Sequence, residues 1–246
     1  MIPLKDDNPL DRTPVVTIAL VLANVAAFLW QIDLFTLPAA SQAGQLAEYI
    51  GERLNETALR GGVVPYEILT FTDLFPRDVV PPPLTIFTSM FLHGGFVHVA
   101  TNMLFLWIFG NNVEDALGRA RFFVFYVVCG VAGTVVQVIS SAMTGSIEVP
   151  IVGASGAIAG VLAAYMVLFP RARVTTLVWV LIFIRIIPVP AAFFIGVWFL
   201  LQLLSVAFGG NQGVALFAHV GGFVAGWLLV KTMGRRPTWR ARRVSW

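Results

Sequence analysis

The chain has 246 residues, of which 58% are apolar and only 12% charged, with a formal net charge of +3 and a mean hydropathy of +0.83. An ordinary soluble domain carries about 25% charged residues, so this chain has too little polar surface to coat a soluble globule and reads as a polytopic membrane protein. The single cysteine, Cys129, excludes an intramolecular disulfide and any multi-cysteine metal site.

In chain order, residues 1–13 hold Asp6, Asp7 and Asp11 against Lys5 and Arg12, the wrong charge for the start of a cleaved signal peptide. Six apolar runs follow, near 14–32, 94–112, 121–142, 152–169, 190–208 and 214–232. Each approaches the roughly 20 residues that cross about 30 Å of hydrocarbon as a helix. The first loop, about 33–86, contains seven acids (among them Asp33, Glu67 and Asp78) and Arg53, Arg60 and Arg77. Within it, residues 42–60 predict an amphipathic helix with Leu46, Tyr49, Ile50, Leu54 and Leu59 on one side, either on the membrane surface or packed as part of the loop. Pro81-Pro82-Pro83 ends this loop. The shorter apolar segment 174–187 carries Arg185 and runs into Pro188 and Pro190, and is expected to be interfacial or re-entrant. The expected fold is all-α: one membrane-embedded domain over 1–246, a six-transmembrane-helix bundle with a basic tail at 233–246.

The bases orient the bundle. Lys5, Arg12, Arg119, Arg121, Arg171, Arg173, Arg185, Lys231, Arg235, Arg236, Arg240, Arg242 and Arg243 fall on one side, thirteen against three on the other. The positive-inside rule then places both termini in the cytoplasm. The second, fourth and sixth spans run inward from the external face.

That orientation puts four polar side chains at one level. His98 and Asn102 come four to eight residues into the second span, Ser155 about three into the fourth, and His219 about five into the sixth. At 1.5 Å per residue they lie roughly 5–12 Å below the external boundary, which implies a shared cavity open to that side. Polar groups in hydrocarbon are costly unless partnered, so each is a functional candidate. His98 and Asn102 are spaced i, i+4 and share a helix face. His93 precedes Gly94-Gly95, off that face, and is expected to make a structural hydrogen bond. Gly153, Gly156 and Gly160 flank Ser155, and Gly222 and Gly226 follow His219. Small residues at such spacing let membrane helices approach closely, bringing Ser155 toward His219.

A serine hydroxyl is a weak nucleophile until a base takes its proton, and His219 is the only histidine on the sixth span. Glu148 is the only acid between 116 and 246, so the pair is expected to be a Ser155–His219 dyad and not a triad. A helix N-terminus offers unpaired N–H groups to an oxyanion. Ser155 sits near one, and His98 and Asn102 could add side-chain donors. A zinc protease would need His-Glu-x-x-His, whereas His93 and His98 are spaced i, i+5 with no glutamate between them. A paired-aspartate site fails because Asp115 has no partner. The glycines at 153–160 are not a phosphate loop, since no Gly-Lys-Ser/Thr follows. Glu114, Asp115, Arg119 and Arg121 are expected to form a structural cluster at the cytoplasmic end.

Taken together, His93-x4-His98-x3-Asn102, Gly153-Ala154-Ser155-Gly156-x3-Gly160 and Ala218-His219-x2-Gly222-x3-Gly226, with Gly110-x3-Glu114-x3-Gly118-x2-Arg121-Phe122, make the chain resemble a bacterial-type rhomboid intramembrane serine protease with the minimal six-helix core. The resemblance implies a serine endopeptidase of the inner membrane. Ser155 would be its nucleophile, His219 its general base, and His98, Asn102 and the Ser155 N–H its oxyanion hole. It implies single-span transmembrane protein substrates with small side chains at the cut, a gate formed by the fifth helix and the 209–213 loop, and no cofactor, metal or nucleic-acid partner. One departure stands out: some bacterial members carry Trp-Arg where this chain has Leu84-Thr85. A competing reading is a non-hydrolytic polytopic protein, either a transporter or a pseudoprotease that binds membrane helices. A transporter would be expected to show internal repeats or broken helices at the midplane.

Overall fold

The computed structural model describes residues 1–34, 43–74, 80–180, 183–207 and 215–234. Arg77 and Asp78, the 209–213 loop and the tail beyond residue 234 lie outside the described residues.

Strand β1 (Ile2–Asp6) leads to helix α1 (Val15–Gln31). The first loop folds into α2 (Ala43–Gly61), the short α3 (Pro65–Thr70), a 3-10 turn at Pro82–Leu84, α4 (Thr85–Thr88) and a second 3-10 turn at Ser89–Phe91. The second apolar run forms one rod: α5 (Phe96–Phe105), a π-helical stretch Leu106–Gly110 and α6 (Asn111–Leu117). Gly118, at φ 85°, ends it. Then come α7 (Arg119–Thr144), α8 (Ser155–Leu168), strands β2 (Arg173–Val180) and β3 (Phe183–Pro190), α9 (Ala191–Ala207) and α10 (Leu216–Met233).

Every predicted apolar run thus contains a helix. Among the described residues α7 and α10 are long and apolar enough to cross a membrane by themselves, and Pro82–Phe91 with Phe96–Leu117 forms an apolar pair bent by 78°. α8 is different, with 14 residues and a rise of about 21 Å, some 9 Å less than a hydrocarbon core of about 30 Å. Ser155 is its first residue, not its third or fourth as the apolar run suggested. A bilayer boundary at Leu168 therefore leaves Ser155 recessed from the opposite boundary.

The all-α expectation needs correction. Segment 174–187 is extended: β2 and β3 form an antiparallel hairpin, and β1 adds to β2, giving the order β1-β2-β3. Val174, Thr175, Thr176, Val178, Ile184, Ile186, Ile187 and Val189 are β-branched and favour strand. Pro3 has no N–H to give the ladder, and the register slips between Pro3 and Lys5. The sheet lies at the end of α8 remote from Ser155.

α7, α8 and α10 form the core. α8 is apolar all round and its residues Gly156–Tyr165 are all buried, as a central helix must be. α8 and α10 run side by side at backbone contact. A Cβ on Gly222 would overlap the Gly156 carbonyl, and one on Gly226 would overlap that of Gly160. Gly133 of α7 meets the Ala218 carbonyl in the same way, its Cβ position lying 2.5 Å from that oxygen.

Two long-range contacts tie α1 in. At its start Pro14 supplies no side-chain cap. Glu114 of α6 accepts instead from the N–H groups of Val16 (3.0 Å) and Thr17 (2.7 Å) and from Thr17 Oγ1 (2.8 Å). Asp115 accepts from the Asp11 N–H at 2.9 Å, and Arg121 donates to the Met233 carbonyl at 3.3 Å. Of the expected polar cluster, Glu114 and Asp115 hold the N-terminal segment and line one cavity with Arg119, while Arg121 instead meets the end of α10. At the other end of α1, Gln31 Nε2 donates to Thr57 Oγ1 (3.0 Å) and to the His93 carbonyl (3.2 Å), while its Oε1 accepts the His93 N–H (2.8 Å). These bonds, with buried Leu54, Thr57 and Ala58, hold α2 as the amphipathic helix expected for 42–60.

Candidate active site

Ser155 opens α8 because the chain before it is pinned. Val63 and Ile151 exchange both backbone hydrogen bonds (3.0 and 2.8 Å), and the Gly153 N–H donates to the Ser89 carbonyl at 2.8 Å. Gly153 has φ +125°, a conformation that residues with a Cβ rarely adopt. A Cβ there would also lie 2.8 Å from His98 Nε2. Only glycine fits between His98 and the serine loop.

His219, in the first turn of α10, is buried, and its Nε2 lies 2.7 Å from Ser155 Oγ. The Trp198 ring of α9 sits beside the imidazole, centroids 5.7 Å apart. Nδ1 of His219 is buried without a hydrogen-bond partner. Among the described residues no carboxylate reaches this imidazole, and it is packed between α8 and Trp198.

The Gly94 N–H donates to His98 Nδ1 at 3.3 Å. A ring nitrogen that accepts carries no proton, which assigns the neutral His98 proton to Nε2, the atom facing Gly153. Asn102, one turn further along the same face, is buried, and its Nδ2 has no hydrogen-bond partner. A buried amide donor left unpaired costs about 1–3 kcal/mol, which calls for an explanation beyond packing. His93 holds the approach to this helix through its backbone bonds to Gln31, and its ring stands edge-on to His98 at 5.0 Å.

A small cavity of about 10 Å³ adjoins Ser155, lined by Ser89, Met90, Thr134, Gly153 and Ala218 among others. A larger cavity of about 250 Å³ lies at the opposite end, between Arg12, Glu114, Asp115 and Arg119, remote from the serine. Among the described residues no group of three His, Cys, Asp or Glu could hold a metal ion.

Of the residues singled out in the sequence, the structure brings Ser155, His219, His98 and Gly153 into one place, with Asn102 a turn away from His98. Gly156, Gly160, Gly222 and Gly226 form the contact that holds α8 against α10. Sequence reasoning missed three contributors: the Gly94 N–H that sets the His98 tautomer, Gln31 beneath His93, and Trp198 against His219. Gln31 and Trp198 leave no local signal, because each acts through a partner on another element; the Gly94–His98 bond spans four residues but depends on how the chain turns into α5.

The Rhomboid domain family model matches residues 83–236, which includes all four polar candidates. The chain belongs to the rhomboid family, whose members are integral membrane proteins and generally intramembrane serine proteases. It is 33% identical over 184 residues to Rhomboid protein 1, mitochondrial, of Saccharomyces cerevisiae, covering 70% of this chain and 48% of that protein. It is 38% identical over 85 residues to Presenilin-associated rhomboid-like protein A, mitochondrial, of Danio rerio, covering 35% and 22%. It is 26% identical over 224 residues to RHOMBOID-like protein 5 of Arabidopsis thaliana, covering 89% and 67%. The chain spans about half the length of the yeast relative. None of these relatives lends support to the expected bacterial inner membrane, and two of them are named as mitochondrial.

Proposed function

We propose that this chain is an active intramembrane serine endopeptidase that cuts transmembrane segments of single-span membrane proteins through a Ser155–His219 dyad. The observation that carries this reading is the 2.7 Å approach of His219 Nε2 to Ser155 Oγ, the hydroxyl's one hydrogen-bond partner among the described residues. His219 Nε2 takes the Oγ proton as Oγ attacks the scissile carbonyl carbon. The carbonyl oxygen becomes an oxyanion beside His98 Nε2–H, the Asn102 amide and the Ser155 N–H at the start of α8. Preorganised donors of this kind are the largest single contributor to many acyl transfers. The imidazolium then protonates the leaving amine, the C–N bond breaks, and an acyl-Ser155 ester remains. Water, deprotonated by His219, hydrolyses that ester and restores the serine.

The small cavity beside Ser155 supports a small substrate side chain at the cut. The recessed start of α8 supports a site set below the membrane surface, and the thirteen-to-three division of basic residues supports one six-span domain with both termini cytoplasmic and the site open to the external face. The test is reconstitution in liposomes with a single-span substrate. Wild type should release the two halves and Ser155→Ala should not; equal cleavage by both would remove the protease reading.

A further inference from the structure

The hairpin at the end of α8 carries an apolar surface that the core does not use. Cross-strand pairs share a face, so Leu177 with Ile186 and Trp179 with Ile184 lie together, and Ile2 of β1, opposite Leu177, extends the same face. Trp179 is 71% exposed, Ile184 62% and Ile186 61%. The other face buries Val174, Thr176 and Val189 at its root. A sheet with one face on the core is normally polar on the other, so this arrangement is reversed from what water would select.

Two further observations identify what meets that face. First, residues 169–190 contain Arg171, Arg173 and Arg185 and no acid, a charge pattern suited to lipid phosphates. Second, β3 passes into α9 without a loop, Pro190 to Ala191. The exposed apolar flank of α9, Phe193 and then Leu200 and Leu201, therefore continues directly from the hairpin. That flank belongs to an integral membrane protein and faces lipid or other apolar groups, and the exposed tryptophan at the turn end of the hairpin is the residue type that favours the headgroup level.

We propose that the outer face of the β2–β3 hairpin lies in the headgroup zone of the leaflet opposite the Ser155 opening, with Trp179, Ile184 and Ile186 immersed, while Arg185, paired with Val178 on the other face near the turn, and Arg171, just before β2, border the immersed face and reach anionic phosphates. The hairpin is a lipid anchor that sets the depth of the root of α9. The Ala191 N–H donates to the Ala172 carbonyl at 3.0 Å, so anchor and helix start are joined. The inference rests on membrane integration and not on proteolysis.

The test uses the full chain in a Cys129→Ala background, with Trp179→Cys or Ile184→Cys labelled by an environment-sensitive fluorophore. The protein is reconstituted in vesicles of phosphatidylcholine and phosphatidylglycerol. Quenching by a lipid-borne nitroxide just below the headgroup is compared with quenching by aqueous iodide. Both labels should be quenched by the nitroxide and be about fivefold less accessible to iodide than the free fluorophore–cysteine conjugate. Two results overturn the proposal: iodide quenching equal to the free conjugate, or labels that neither quencher reaches. Two label positions guard against one variant failing to fold.

Discussion

Gly222 of α10 and Gly156 of α8 meet backbone to backbone, so closely that a methyl group on Gly222 would overlap the Gly156 carbonyl. This contact lies next to Ser155 in the chain and one turn from His219, and its neighbour is rigid backbone, not a side chain that can swing away. Gly222→Ala should therefore separate the two helices, cost about 1–3 kcal/mol of stability through overpacking, and abolish cleavage by breaking the 2.7 Å Ser–His contact. Gly196→Ala in α9, where a Cβ meets nothing within 4 Å, should leave the thermal midpoint in detergent unchanged or slightly raised. Equal midpoints for the two variants would contradict this view of the core.

His98 should act on kcat. Its Nδ1 is occupied by the Gly94 N–H, leaving Nε2–H to donate beside Ser155. Removing one oxyanion donor costs about 10²–10³-fold in kcat, so His98→Ala and Asn102→Ala should each lose activity on that scale with KM little changed. Steady-state kinetics on a single-span substrate in micelles reads the split. A rise in KM at constant kcat would reassign these residues to substrate binding.

Asp6 predicts a pH dependence of stability. Its carboxylate accepts from Tyr165 Oη and Asn112 Nδ2, each at 2.7 Å, but burial outweighs those bonds and pushes its pKa from 3.8 up to about 6. The folded state therefore holds a proton that the unfolded chain has lost. The stabilisation is fully present below about pH 4 and is lost as pH rises through 6. With about 1.4 kcal/mol per pKa unit, the change across that window is on the order of 2–3 kcal/mol. Denaturation midpoints from pH 4 to 7 should fall with rising pH in wild type, and less steeply in Asp6→Asn. Parallel profiles would remove Asp6 as the source.

Glu114 caps α1 from another helix, so Glu114→Ala should leave the Val16 and Thr17 N–H groups unpaired and lower stability by about 1–3 kcal/mol. Glu114→Gln, which keeps one acceptor oxygen, should lose less. Thermal unfolding of both variants checks the order, and Ala equal to Gln would contradict the capping role.

Much of the site was legible because it rests on local patterns. The i, i+4 spacing of His98 and Asn102, and glycines placed beside Ser155 and His219, are written in short stretches of chain. What was not legible depends on distant partners. β1 is five residues long with a proline inside it and pairs with a strand roughly 170 positions away, so no window around either shows the sheet. The apolar run 152–169 begins before its helix does, and this hid the fact that Ser155 is the first helical residue. Glu114 could be assigned to a structural cluster from its place at a helix end, but its acceptor role depends on α1 lying alongside, 97 residues earlier.

The central claim is that Ser155 is a nucleophile activated by His219. A fluorophosphonate tests it directly, since attack by Oγ displaces fluoride and leaves a stable phosphonyl ester. Mass analysis of the peptide bearing residue 155 should show the adduct in wild type and little or none in His219→Ala at the same probe concentration. An unmodified wild-type serine, or equal labelling in His219→Ala, would contradict the account.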